Sequence, residues 1–441
     1  TRAAVQVNGT DYRWPLRPVV VVCIDGGDPR YLQQFLADGT TPNIARCVRE
    51  GHAAVAEGSM PSFTCPNNMS IITGTPTARH GISGNFYLDT ATWQPVVMTG
   101  PELLRGDTII AKFAAAGAKV VTITAKDKLR KQLGKGLDVR QGHVSFSSEF
   151  AGQCTLAENG IEDVLPWLGM AQPGMYSMEL SLLVLEAGIK LLRERRPELL
   201  YLSLTDWVQH KWAPDEDGAR EFYRKLDDCV GRLMALDATV ALTADHGMSD
   251  KSTADGEPQV LWLQDLLDAK LGAGTTTVIC PITDAFVAHH GALGGFVRVW
   301  SKGQVTARQI IDAIGDAEGV ELALDRETAC RMFDMPPDRE GDVAVIAPDA
   351  LEDPHREQLN ALVAACVLIA QVDGAVTPDE RGRMVERLRS QPLLEGLELE
   401  TALRAFEALD ARFDARPEET WVEAEMMIRR LKGRAEAEAV A

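Results

Sequence analysis

The sequence predicts an α/β protein with three parts: a mostly parallel sheet between helices, a small α+β cap, and a separate all-α segment towards the C-terminal end. Three observations carry this expectation. Four runs of apolar residues, led by Val19-Val20-Val21-Val22-Cys23-Ile24, are continuous rather than alternating, as in parallel strands buried on both faces. Helical stretches separate these runs, which is the order of repeating βα units. Beyond Pro348 the strand pattern stops, and amphipathic helices follow one another.

Residues 1–17 are polar and carry an Asn8-Gly9 turn signal, so a short hairpin is expected. The first buried strand then ends in Asp25-Gly26-Gly27-Asp28. Acidic residues at the carboxyl end of such a strand lie where open α/β sheets keep their ligands. The plain alternative is a loop aspartate in an Asx turn. Helices are expected over Arg30–Ala37 and Pro42–Glu50, the second closed by Gly51. Next comes a loop rich in Pro, Ser and Asn, Ser59 to Gly74, that runs into a helical turn. Thr64 falls just before the turn, between Pro61 and Pro66. A hydroxyl there sees the positive end of the helix dipole and free backbone N–H groups, which suits anion binding. Simple capping by Thr64 or Asn67 is the alternative.

After a Gly- and Pro-punctuated loop, with Asn85 at its far side, a helix over Asp107–Ala116 and a strand over Lys119–Thr124 follow. The strand ends in Ala125-Lys126-Asp127-Lys128. Lysines two apart point the same way on extended backbone and could hold a carboxylate or phosphate; a solvated pair is equally ordinary. The amphipathic helix Met178–Arg195 leads to the strand Glu198–Leu204, then to Asp206 and His210. An Asp and a His four apart suit one helical face and metal ligation. A helix over Arg220–Leu236 precedes the strand Thr239–Thr243, which ends in Ala244-Asp245-His246-Gly247. Each motif alone is weak. Three strand ends with Asp25, Asp206, His210, Asp245 and His246, and a helix-start threonine among them, form a pattern that chance rarely places on one sheet edge.

The core is expected to comprise residues 1–258 and 338–347, with the cap over 259–337. In the cap, strands over Thr275–Cys280 and Phe296–Trp300 flank His289-His290-Gly291. The helix Thr306–Ile314 and the strand Glu321–Leu324 follow. Gly341–Ala347 is read as a return to the core sheet. Residues 354–434 make the helical domain, with helices over Arg356–Gln371, Pro378–Ser390, Leu397–Phe413 and Pro417–Lys432. Thr377, Pro378 and Glu380 form a capping box.

A formal net charge of -19 argues against a nucleic-acid or anionic-membrane surface. An anionic substrate then needs local cationic groups or metal ions. The eight cysteines are scattered without a C-x-x-C pair, the pattern of reduced thiols in a cytoplasmic protein. No secretory signal pattern opens the chain, and apolar runs such as Leu359–Ala370 are too short to span a bilayer.

With these residues in place, 18–347 resembles the alkaline phosphatase superfamily, and within it the phosphonoacetate hydrolases. The resemblance rests on Cys23-Ile24-Asp25-Gly26, Met60-Pro61-Ser62-Phe63-Thr64 with Pro66-Asn67-Asn68, Gly84-Asn85, Thr124 to Lys128, Thr205-Asp206-Trp207 with His210, Ala244-Asp245-His246-Gly247, and His289-His290-Gly291. It implies two zinc ions, one held by Asp25, Thr64, Asp245 and His246, the other by Asp206, His210 and a third, later histidine. It makes Thr64 the nucleophile, sets Asn85 on a phosphoryl oxygen, and sets Lys126 and Lys128 on the carboxylate of a small anionic phosphonate. The implied reaction cleaves the C–P bond of phosphonoacetate to acetate and phosphate. A homodimer is among the assemblies it implies.

In that family the core sheet continues after the cap, and a histidine before two glycines supplies the last ligand. Here His355 is the one histidine beyond 290 and has no flanking glycines. The second zinc site is therefore expected to lack one protein ligand. Residues 354–434 resemble the helical tellurite-resistance TerB proteins, which suggests binding of another protein or of a cation at Asp373, Asp379 and Glu380. Capping explains Glu380 equally well and is favoured. Two other readings stand beside the hydrolase: a phosphodiesterase or phosphomutase of the same superfamily, which Lys126 and Lys128 argue against, and a non-catalytic fusion carrying a helical interaction module. A sulfatase is not expected, because Cys65 lacks the Pro and Arg spacing of its maturation motif.

Overall fold

The computed structural model describes residues 2–252, 255–283, 294–347, 354–371 and 399–429, which fall into two compact units. In the first unit, β1 (Val19–Ile24), β2 (Val120–Thr124), β3 (Val144–Ser147), β4 (Leu199–Ser203) and β5 (Thr239–Ala244) form one parallel sheet in the order β3-β2-β4-β1-β5. β3 reads Val-Ser-Phe-Ser, so its serines break the apolar run that marks the other strands, although all of it is buried.

Side-chain alternation along β1 divides the interior. Val20, Val22 and Ile24 join Leu200 and Leu202 under the helices Glu179–Arg195 and Asp217–Met234. Cys23 and Tyr201 face the opposite way, against Met69 and Ile72 of the helix Thr64–Thr73 and against Leu129 and Leu133. The sheet is thus covered by helices on both faces, as parallel strands require. β5 lies at the edge, and Thr239, Ala241 and Ala244 on it are exposed. Among the described residues no strand pairs with its outer side.

The second unit holds β6 (Thr276–Ile279), β7 (Phe296–Ser301), β8 (Leu322–Asp325) and β9 (Val343–Ile346) as an antiparallel sheet in the order β6-β7-β9-β8. β9 corrects an expectation, because Val343–Ile346 was read as returning to the parallel core sheet. It pairs with β7 and β8 instead, and Val343 and Val345 pack with Ile310 and Ile314. The antiparallel sheet needs this strand to close its own core.

The helices Pro354–Gln371, Leu399–Ala415 and Pro417–Arg429 bury a separate cluster that includes Val363, Val367, Phe406, Leu409 and Ala424. Arg331 meets Glu418 at 3.3 Å and Glu419 at 3.2 Å, and Arg429 donates to the Gly315 carbonyl at 2.9 Å, so these helices also bond to the α+β part of their unit. The expected helix Pro378–Ser390, its capping box, and Asp373, Asp379 and Glu380 lie outside the described residues. No helix among the described residues is long and apolar enough to cross a membrane.

The Thr64–Thr73 helix is braced from behind by His80, which is 1% exposed. The Ile82 N–H donates to its Nδ1 at 3.1 Å, so a neutral ring carries its proton on Nε2 and donates to Ser70 Oγ at 2.9 Å. Burial, with the Arg339 charge adding, lowers its pKa to about 3. The unfolded chain takes up this proton near pH 6.5 and the folded chain does not, so stability is lost as pH falls below about 6.5. Urea unfolding of the metal-stripped chain should show about 2 kcal/mol less contribution from this group at pH 5 than at pH 7. That increment should vanish in His80→Leu, and an equal pH dependence in both proteins would refute the assignment.

Candidate active site

Strand register builds the site. Cys23 of β1 pairs with Ser203 of β4 and Thr243 of β5, so the three adjacent strands end level with one another. Asp25 follows β1, Asp206 occupies the N-cap of the helix Trp207–Lys211 after β4, and Asp245-His246 follow β5. Side-chain ligand atoms of Asp25, Asp206 and His246 all lie within 4.8 Å of one another. His246 Nε2 is 3.0 Å from Asp25 Oδ1, and His210 Nε2 is 2.9 Å from Asp206 Oδ2. A carbonyl can only accept, so the 2.8 Å contact to the Gly247 oxygen puts a proton on His246 Nδ1 and turns Nε2 towards the carboxylates.

Thr64 is the first residue of its helix, and no side-chain hydrogen bond caps that helix. The capping alternative therefore fails. Its Oγ1 instead donates towards Asp25 Oδ1 at 3.3 Å and lies 3.2 Å from His246 Nε2. Asn67 does not cap either. Its amide accepts from the Ser59 N–H at 2.7 Å and donates to the Ser59 carbonyl at 3.0 Å, which pins the preceding loop.

The electrostatics are those of a cation site. Burial raises the Asp25 pKa well above the usual carboxylate range, and the Asp245 and Asp206 charges push the same way. Asp245 is raised by burial, partly offset by His246. Burial alone would depress His246, but Asp245 and Asp25 hold it well above its ordinary value. Burial is the largest single influence on Asp206 and pushes it up, but the hydrogen bond and charge of His210 together with the His246 charge outweigh it, and the pKa falls. Three carboxylates crowded around imidazole nitrogens are the oxygen and nitrogen donor set that a divalent ion such as zinc takes, so these residues fit a metal. Asp245 is already held on both oxygens: Oδ1 accepts from the Gly26 and His246 N–H groups at 3.2 and 3.0 Å, and Oδ2 accepts from Asn68 Nδ2 at 2.9 Å.

The remaining candidates stand differently. Asn85 spends its amide on the Ile282 carbonyl at 2.5 Å, and no described bond joins it to Thr64. Lys126 is extended, but the chain turns helical at Asp127, so Lys128 is the second residue of the helix Asp127–Leu133. The extended-strand premise for the pair is thereby corrected. Lys126 Nζ sits 5.6 Å from the centre of the Tyr176 ring. Lys128 lies close enough to Cys65 to pull down a thiol that burial raises to about 11. His289 and His290 lie outside the described residues, and His355 falls in the first turn of the helix Pro354–Gln371. Sequence reasoning assigned no role to Asn68, Tyr201 or Ser203. The available signal was two hydroxyls at i and i+2 inside an apolar strand, opposite a tandem Asn pair.

A family profile described as type I phosphodiesterase / nucleotide pyrophosphatase matches residues 19–373, and one described as tellurite resistance protein TerB matches 359–441. The chain belongs to the type I phosphodiesterase/nucleotide pyrophosphatase family, within the alkaline phosphatase superfamily of metal-dependent hydrolases, and ends in a TerB region. Among solved structures it resembles phosphonoacetate hydrolase from Sinorhizobium meliloti 1021, in complexes with phosphonoformate and with phosphonoacetate. The identity is 45% and the TM-score 0.77, over 79% of this chain and 84% of that one. Murine ectonucleotide pyrophosphatase/phosphodiesterase 5 shares the fold, at 16% identity and a TM-score of 0.51 over 75% of this chain and 79% of that one. An uncharacterized pyrophosphatase/phosphodiesterase of Schizosaccharomyces pombe is 24% identical over 57% of this chain. The chain spans about half the length of that curated relative, 48%.

Proposed function

We propose that this chain is a zinc-dependent hydrolase that cleaves the C–P bond of phosphonoacetate, with Thr64 as nucleophile. One observation carries the reading: the Thr64 hydroxyl caps nothing and is held between Asp25 and His246. Asp25, Asp245, His246 and Thr64 would hold one zinc, and Asp206 with His210 would hold a second on fewer protein ligands. Zinc bound there would polarise phosphonyl oxygens and lower the pKa of a bound hydroxyl, as it lowers that of water from about 15.7 to about 7. Thr64 Oγ, its proton passed to solvent, then bonds to phosphorus while the C–P pair departs onto carbon, where the adjacent carboxylate spreads the charge and a proton from water completes acetate. A second water releases phosphate and restores the hydroxyl.

Lys126 and Lys128 would take the substrate carboxylate, and Asn85 a phosphonyl oxygen once its bond to the 282 carbonyl is exchanged. Both ligands of the Sinorhizobium enzyme carry a carboxylate beside the phosphonyl group, which supports this assignment. The eight cysteines, scattered without a C-x-x-C pair, support a reducing compartment, the cytoplasm. The test is zinc content per chain together with phosphate release from phosphonoacetate. Absence of turnover at every zinc concentration would refute it and favour the non-catalytic fusion. Lys126→Ala and Lys128→Ala should each raise KM for phosphonoacetate about tenfold or more, as expected for losing a charge-assisted bond of roughly 1.5–3 kcal/mol. A phosphonate without a carboxylate, used as a competitive inhibitor, should bind both variants as it binds the parent; equal losses for it and for phosphonoacetate would remove the lysines from specificity.

A further inference from the structure

We infer that Asn68 is the positioning residue that locks Asp245 to the nucleophile helix, an inference that rests on the function proposed above. Asn68 is fully buried, at 0% exposed. Its amide has two protons and two lone pairs, and the structure uses all four. Nδ2 donates to Asp245 Oδ2 at 2.9 Å and to the Thr64 carbonyl at 3.0 Å. Oδ1 accepts from Tyr201 Oη at 2.8 Å and Ser203 Oγ at 3.3 Å.

The orientation of the amide is dictated chemically. An ionised carboxylate and a carbonyl can only accept, so the NH₂ end must face Asp245 and Thr64. The hydroxyls of Tyr201 and Ser203 can donate, so they satisfy the oxygen. Tyr201 and Ser203 lie on β4, Asp245 follows β5, and Asn68 stands one turn beyond Thr64 on the same helix. One side chain therefore ties the nucleophile's backbone, a metal-site carboxylate and the central sheet together. No helix-core role calls for an amide here, since a leucine of similar size would fill the space but leave four buried polar groups without this partner. With both Asp245 oxygens held, the carboxylate is presented in one rotamer before a cation arrives. Such supporting bonds typically govern metal affinity by about tenfold to a hundredfold.

The test is competition for zinc against a chromophoric chelator, with kcat and KM for phosphonoacetate, on the full chain. Asn68→Leu should weaken the tighter zinc site at least about tenfold and lower kcat about a hundredfold, with KM within about threefold. Tyr201→Phe and Ser203→Ala keep the amide and shed one donor each; each should weaken zinc by a few-fold in the same direction. A folded Asn68→Leu with zinc affinity and kcat within twofold of the parent overturns the inference. Should Asn68→Leu fail to fold, unchanged zinc affinity in both hydroxyl variants overturns it. A parent chain that binds no zinc overturns the proposed function and this inference with it, whereas a zinc-binding parent with indifferent variants overturns this inference alone.

Discussion

Replacing Thr64 by alanine is expected to lower phosphate release from phosphonoacetate by at least about 10⁴-fold, ~5.5 kcal/mol of transition-state stabilisation, in a chain that still folds and still binds zinc. The structure separates these outcomes. Because the Thr64 hydroxyl makes no capping bond, its removal costs the helix no N-terminal partner. Stability should therefore change by less than about 1 kcal/mol, measured by urea unfolding of the metal-stripped proteins. Asp25, Asp245 and His246, which the proposed site assigns to zinc, are untouched by the substitution. Thr64→Ser keeps an oxygen at the same place and should retain measurable turnover. A Thr64→Ala chain with more than a tenth of the parent rate would remove the threonine from the chemistry.

The second large effect concerns the metals. Zinc titration of the metal-stripped chain is expected to show one tight site and a second at least about a hundredfold weaker, since two protein ligands replace the usual three or four. His246→Ala should abolish the tight site and His210→Ala only the weak one. The hydrogen bonds already made predict the order. Asp25 and His246 meet at 3.0 Å in a buried corner with Thr64 and Asp245 around them, whereas the Asp206–His210 pair at 2.9 Å is about a quarter exposed, 25% and 28%. Two sites of equal affinity would mean that another residue supplies the ligand that His355 does not match.

The reach of the sequence can be judged from particular elements. The runs at Val19, Lys119, Glu198 and Thr239 were legible because a strand buried on both faces has no polar alternation. Their ends were legible because Asp and His at the carboxyl edge of an apolar strand have few structural uses. The helix beginning near Thr64 was legible from its prolines. All of this is local information, carried within a few residues.

Other features depended on contacts between distant residues. Val343–Ile346 is apolar enough for either sheet. Its place was settled by hydrogen bonding to β7 and β8 and by packing against Val299 of β7 and Ile310 and Ile314 of the helix Ala307–Ile314. The lysines were read as a strand pair, but helix formation at Asp127 re-aimed Lys128. Whether Thr64 caps a helix or serves a site could not be read locally, since its partners are 39 and 182 residues away. Asn68 is the clearest case, with three of its four partners 133 to 177 residues away, on β4 and just beyond β5. Composition and periodicity thus specify which residues belong to strands, helices and strand ends, because burial and backbone preference act locally. Which donor meets which acceptor is set by sheet order and register, and these follow from packing over the whole chain.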